Sequence, residues 1–104
     1  MVDLELNDLK REFLVEAREK VIEMQSALES ASNESFERVT YLAHQLKGSG
    51  GSYGYERIST DAEALEKALE KRSASSNGNG LDARIQQYVI NLRAEIDRCA
   101  RELR

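Results

Sequence analysis

The chain has no proline and no tryptophan, and only one cysteine and one histidine among its 104 residues. A single cysteine excludes an intrachain disulfide and a cysteine-built metal site. A single histidine is too few to anchor a metal by itself, because such sites need several ligands. No apolar run approaches the roughly 20 residues of a membrane span, and the N-terminus is acidic rather than signal-like. The cytoplasm is therefore the expected compartment, with no membrane partner. Basic charge is also short: 15 Lys and Arg against 19 Asp and Glu leave a formal net charge of −4. That balance argues against a nucleic-acid-binding surface, which normally carries a concentrated basic excess. Arg93, Arg98, Arg101 and Arg104 do gather near the C-terminus, where cations suit the negative end of a helix dipole.

What is present is a mixture of Glu, Leu, Ala, Arg and Lys, 33% charged and 40% hydrophobic. That mixture points to an all-helical soluble protein. The length fits one domain, residues 1–104, with a core large enough to need neither disulfide nor metal. Apolar periodicity outlines four helices. The first carries Leu6, Leu9, Phe13, Ala17, Val21, Met24, Leu28 and Ala31 on one face. Ser32 to Ser35 then offers N-cap candidates for a second helix, whose inner stripe is Phe36, Val39, Ala43, Leu46 and Gly50. Gly51 and Gly54 mark the end of that helix or a break in it.

A third helix places Tyr55, Ile58, Ala62, Leu65 and Leu69 inward. Ser73 to Gly80 reads as a flexible connection. A fourth helix starts near Asp82, with Ile85, Tyr88, Val89, Leu92, Ile96, Cys99 and Leu103 on its inner face. Four amphipathic stripes joined by short connections predict an antiparallel up-down-up-down four-helix bundle. Cys99, on the inner stripe, reads as a small core residue.

Four of the six glycines fall between residues 48 and 54, directly after the only histidine. Glycine in a helix costs about 1 kcal/mol relative to alanine, so the run needs a reason. Phosphate-loop readings fail: Lys47 precedes the glycines instead of following them, and no strand leads into a dinucleotide fingerprint. Helix geometry is more informative. At 100° per residue, His44 lies about 120° from the centre of the second helix's inner stripe. It therefore faces solvent on the flank. Lys47 and Gly48 stand one turn away on the same side, and Gly51 two turns away. Bare backbone beside an imidazole gives a bulky partner access to its nitrogen.

Acyl transfer would need a well-placed Ser or Cys and an orienting carboxylate, and Ser49 lies around the helix from His44. An exposed imidazole can instead act as the nucleophile and carry a covalent group. A lysine one turn away suits a phosphoryl group, whose negative charge it would offset.

His44-Gln45-Leu46-Lys47-Gly48-Ser49, with Gly54 ten residues after the histidine, resembles the motif of histidine-containing phosphotransfer domains of two-component phosphorelays. The resemblance extends over the whole chain, in length and in the placing of the histidine on a second helix of four. It implies phosphorylation of His44 at Nε2, charge stabilisation by Lys47, and a path for the partner cleared by Gly48. Some family members hold the other ring nitrogen with a carboxylate or amide 22 residues on, which here is Glu66. The implied partners are response-regulator receiver domains and a sensor (hybrid) histidine kinase. The implied Mg²⁺ sits on the receiver, so this chain needs no cofactor of its own.

Histidine-kinase and receiver features are absent from the sequence, so the chain is expected to be a carrier, not an enzyme, and a monomer. Met1 and the helical content throughout favour a stand-alone protein. The docking surface is expected to combine Gly48 and Gly51 with an apolar contribution from Phe13 and Leu14, on the ground that two adjacent residues cannot both face the core. The competing reading is a helical adaptor that binds a partner without covalent chemistry. It differs in requiring nothing of His44.

Overall fold

The computed structural model describes residues 2–30, 32–74 and 81–103. Four helices account for nearly all of them: α1 (Val2–Ser30), α2 (Asn33–Ser52), α3 (Glu56–Ala74) and α4 (Leu81–Glu102). No strand occurs among the described residues. Each helix packs against two neighbours, in the cycle α1–α2–α3–α4–α1. Val21 and Met24 of α1, Leu42 and Leu46 of α2, Ile58 and Leu65 of α3, and Ile85, Leu92 and Ile96 of α4 are almost wholly buried in the shared core. Burying a side chain of this size contributes about 1.5–3 kcal/mol.

Local signals set the helix ends. Ser32 has an extended backbone (φ −92°, ψ 162°), and its hydroxyl accepts a hydrogen bond from the Ser35 amide. That cap starts α2 and is worth about 1 kcal/mol. At the other end the Tyr55 amide donates to Gly50 O at 2.8 Å, and the Gly54 amide donates to Gly51 O at 3.1 Å. With Gly54 at φ +83°, this is a Schellman closure, whose left-handed residue is nearly always glycine. Gly51 does not break the helix, which runs on to Ser52. The connection expected from Ser73 begins later, because α3 continues to Ala74; residues 75–80 of it lie outside the described residues.

Contacts between helices fix their relative levels. Arg38 of α2 pairs with Glu23 of α1, and the rings of Phe13 and Tyr53 stack with centroids 4.9 Å apart. The Ser59 hydroxyl donates to Lys47 O at 2.8 Å, while the Arg72 guanidinium lies 3.6 Å from the centroid of the Phe36 ring. Gln25 and Arg93 bond across α1 and α4. Gly50 permits a close approach of α2 to α3: a Cβ there would lie 3.1 Å from Ser59 N and 3.2 Å from Ile58 Cγ2.

Two stretches of the expected core differ. Leu6 and Leu9 continue the apolar period of α1 but are 43% and 49% exposed. Phe13 already packs against Tyr53 and Tyr55, at the α2–α3 turn, so the preceding turns of α1 reach past the turn that would cover them. Leu42 and Glu95 are buried, though neither belongs to the stripes read from periodicity.

Glu95 is held below the usual carboxylate range, first by its hydrogen bonds from Arg98, against the opposing effect of burial. Its stabilisation is present above the unfolded carboxylate value and is lost as pH falls through the lowered folded value. The Cys99 thiol is pushed up to about 11, mainly by burial and then by bonding to Glu95. It is protonated at neutral pH and poorly reactive.

Asp61 is shifted the other way. Burial raises it, the charge of Glu95 adds to the shift, and Arg57 partly offsets it. A folded value above the unfolded one means the ionised form costs stability at every pH above it. Asp61→Asn is therefore expected to raise the melting temperature by a few degrees at pH 7. The gain over wild type should shrink as pH falls through the acidic range, which thermal melts monitored by circular dichroism would follow.

Candidate functional site

Packing on α2 leaves His44 on the outside. Val39, Leu42, Ala43, Leu46 and Gly50 fill the buried side of this helix, and the His44 side chain is 70% exposed. Its ring is not free to rotate, however. Nδ1 lies 2.8 Å from Oε2 of Glu66 on α3. A carboxylate only accepts hydrogen bonds, so Nδ1 carries the hydrogen. The lone pair then resides on Nε2, on the far side of the ring. Glu66 is only 13% exposed, and its second oxygen lies 3.7 Å from Lys47 Nζ. One carboxylate thus holds both the histidine and the lysine.

The 22-residue offset works because α2 and α3 meet at this level. Gly50 lets the start of α3 close on α2, and Ser59 ties that start to the Lys47 carbonyl. Glu66, two helical turns beyond Ser59, then comes alongside His44. Glu63, one turn nearer, is held below its ordinary range by Lys67 first and by Lys47 to a lesser degree. The α3 side of the histidine is therefore lined with carboxylates that engage Lys47.

The opposite side of His44 is open. An accessible concavity there is lined by Lys20, His44, Gln45, Gly48, Ser49, Ser52 and Tyr53. A Cβ on Gly48 would meet nothing within 4 Å, and one on Gly51 only an ordinary contact, 3.7 Å from Ser59 Oγ. Neither glycine is required by packing. The exposed Tyr41 stands one turn before His44, with its hydroxyl bonded to Gln45 and the Arg38 guanidinium over its ring.

Phe13 and Leu14 do not belong to the exposed surface. They are 5% and 3% exposed, which corrects the expectation that one of them faces a partner. A helix with two packed neighbours buries an arc broad enough for residues 100° apart. Phe13 is taken up by stacking on Tyr53 and Tyr55, while Leu14 joins the main core. Phe13 reaches the site only indirectly, as the support beneath Tyr53. The sequence pattern alone does not single out Ser59, Tyr53 or Lys20. The hydroxyl beside the inward Ile58 was a weak cue for Ser59, and the other two depend on how helices align.

An exposed imidazole with one nitrogen fixed and the other free beside bare backbone has the chemistry to act as a nucleophile and to carry a covalent group. No curated protein and no solved structure gives a significant match to the chain. The Hpt domain family, by contrast, matches residues 8–101, from the first helix through the last turns of α4. Family members are phosphocarriers rather than catalytic enzymes, and a match over that span is decisive: the chain belongs to the Hpt domain family of histidine phosphotransfer modules.

Proposed function

We propose that the chain is a phosphorelay intermediary that takes a phosphoryl group onto His44 Nε2 from an aspartyl phosphate and hands it to another receiver domain. The observation that carries this reading is the 2.8 Å contact of Nδ1 with Glu66, which leaves Nε2 as the nucleophile. In the forward step the Nε2 lone pair bonds to phosphorus while the P–O bond to the aspartate breaks. The aspartate leaves as a carboxylate with the bonding electrons. The ring, still carrying its Nδ1 hydrogen, becomes cationic, and Glu66 stands beside it to stabilise that charge. Lys47 offsets the charge of the arriving phosphoryl oxygens, with Gly48 and Gly51 leaving room for the partner.

The receiver supplies Mg²⁺ and most of the transition-state stabilisation. This domain, residues 1–104, contributes a positioned nucleophile and has no ATP-binding or hydrolytic site. A sensor kinase of the hybrid type stands upstream, and transfer between receivers occurs in the cytoplasm with the domain as a monomer. No described helix is long and apolar enough to cross a membrane. We read the helices as an antiparallel up-down-up-down bundle. The supporting pairings run in opposite senses along α1–α2 and along α2–α3: Phe13 with Tyr53 and Glu23 with Arg38, then Ser59 with Lys47 and Arg72 with Phe36.

Incubation with a phosphorylated receiver domain tests the function directly. The expected result is an acid-labile, base-stable label on this chain that maps to His44. Absence of label with every active receiver of the same cell would reject it. Glu66→Ala should slow transfer about tenfold, the usual scale for loss of a residue that orients a reacting group. Glu66→Gln should retain most of the rate, because its amide oxygen can still accept from Nδ1. Stopped-flow transfer kinetics on the two variants would separate orientation from charge.

A further inference from the structure

Lys20 on α1 lines the same concavity as His44. The level of the two helices explains why. Glu23 pairs with Arg38 below, and Phe13 stacks on Tyr53 above, so Lys20 and His44 fall at matching heights between those anchors. Lys20 is partly buried, and among the described residues it takes part in no ion pair. Of the two carboxylates one turn away, Glu23 is bonded to Arg38, and Glu16 forms no ion pair with Lys20. Lys47 stands differently, with its ammonium 3.7 Å from Glu66. Glu66 bonds Nδ1, whereas Nε2 is on the other side of the imidazole. The cation already assigned to the phosphoryl group is thus held on the Nδ1 side, and the uncommitted one borders the open side.

We infer that Lys20 is a second phosphoryl-contacting residue, whose ammonium neutralises the oxygens of the group carried on His44 Nε2 from the α1 wall of the concavity. The inference rests on the phosphocarrier reading. Ser49 and Ser52 border the same space, and the Ser52 hydroxyl already donates to Gly48 O at 3.1 Å. Lys20 is therefore the cationic member of this wall.

The test uses the whole chain phosphorylated with phosphoramidate, a small donor that needs no protein partner. The ³¹P resonance of the phosphohistidine is then titrated with pH. In Lys20→Met the midpoint for protonation of the phosphoryl oxygens should rise by about half a pH unit, the scale of one cation a few ångströms away in a water-like medium. Lys20→Arg should restore the wild-type midpoint. A merely structural lysine would not move this signal. An unchanged midpoint in Lys20→Met overturns the inference, even if transfer from a receiver slows, since Lys20 would then touch only the partner protein. A wild-type chain that takes no phosphoryl group overturns the phosphocarrier reading and this inference with it. A phosphorylated wild type with no shift in the variant overturns the inference alone.

Discussion

A domain carrying Gln in place of His44 is expected to take no acid-labile label from any phosphorylated receiver and to melt at the wild-type temperature. The loss is total because no other side chain can substitute. His44 is the only histidine, and the hydroxyls of Ser49 and Ser52 have no base to activate them. The fold is indifferent for an equally simple reason. The side chain is 70% exposed, and substitutions at such positions usually stay within about 0.5 kcal/mol. Glutamine is also a good helix former, and its amide can still reach the Glu66 carboxylate. Radiolabel transfer together with a thermal melt checks both halves. The pair also decides against a non-covalent adaptor, which would keep its output in a folded His44→Gln variant.

The position of His44 was legible because a helix has a fixed period: five inward residues on α2 determine where the sixth direction points. The four helices were legible for the same reason. Periodicity does not reveal where neighbouring helices stop, so Leu6 and Leu9 looked like core although the α2–α3 turn already meets α1 at Phe13. Nor does it reveal how broad an arc the neighbours cover, which is why Phe13 and Leu14 both vanish into the interior. Glu95 hid in α4 because a charged residue does not register in an apolar stripe. Its burial depends on Arg98 one turn later, together with Cys99. The Glu66 offset came through family resemblance, and its physical basis is tertiary: Gly50 and Ser59 set the height at which α3 passes α2.

Gly48→Gln is expected to leave the domain folded and to reduce phosphotransfer about 100-fold. Helix periodicity puts Gly50 on the inner stripe and Gly48 on the side of His44, and the structure shows what a side chain at each would meet. A Cβ at Gly50 would press on Ser59 N at 3.1 Å and on Ile58 Cγ2 at 3.2 Å, whereas one at Gly48 would meet nothing within 4 Å. A larger residue at position 50 must push α3 away, and overpacking of this kind costs about 1–3 kcal/mol. In a domain of this size that lowers the melting temperature by roughly 4–8 °C for each kcal/mol. At position 48 the balance reverses. The glycine costs helix stability without filling any space, and glutamine would recover most of the roughly 1 kcal/mol that glycine forfeits. The new side chain would instead stand in the concavity one turn from His44, where an incoming aspartyl phosphate must align with Nε2. A misplacement of about 1 Å at a reacting centre can cost 100-fold, and a glutamine side chain is several times longer than that. Melting curves and single-turnover transfer on Gly48→Gln and Gly50→Leu should therefore diverge, the first losing rate and the second losing stability. Normal transfer in a folded Gly48→Gln variant would mean that the glycine beside the histidine serves something other than access.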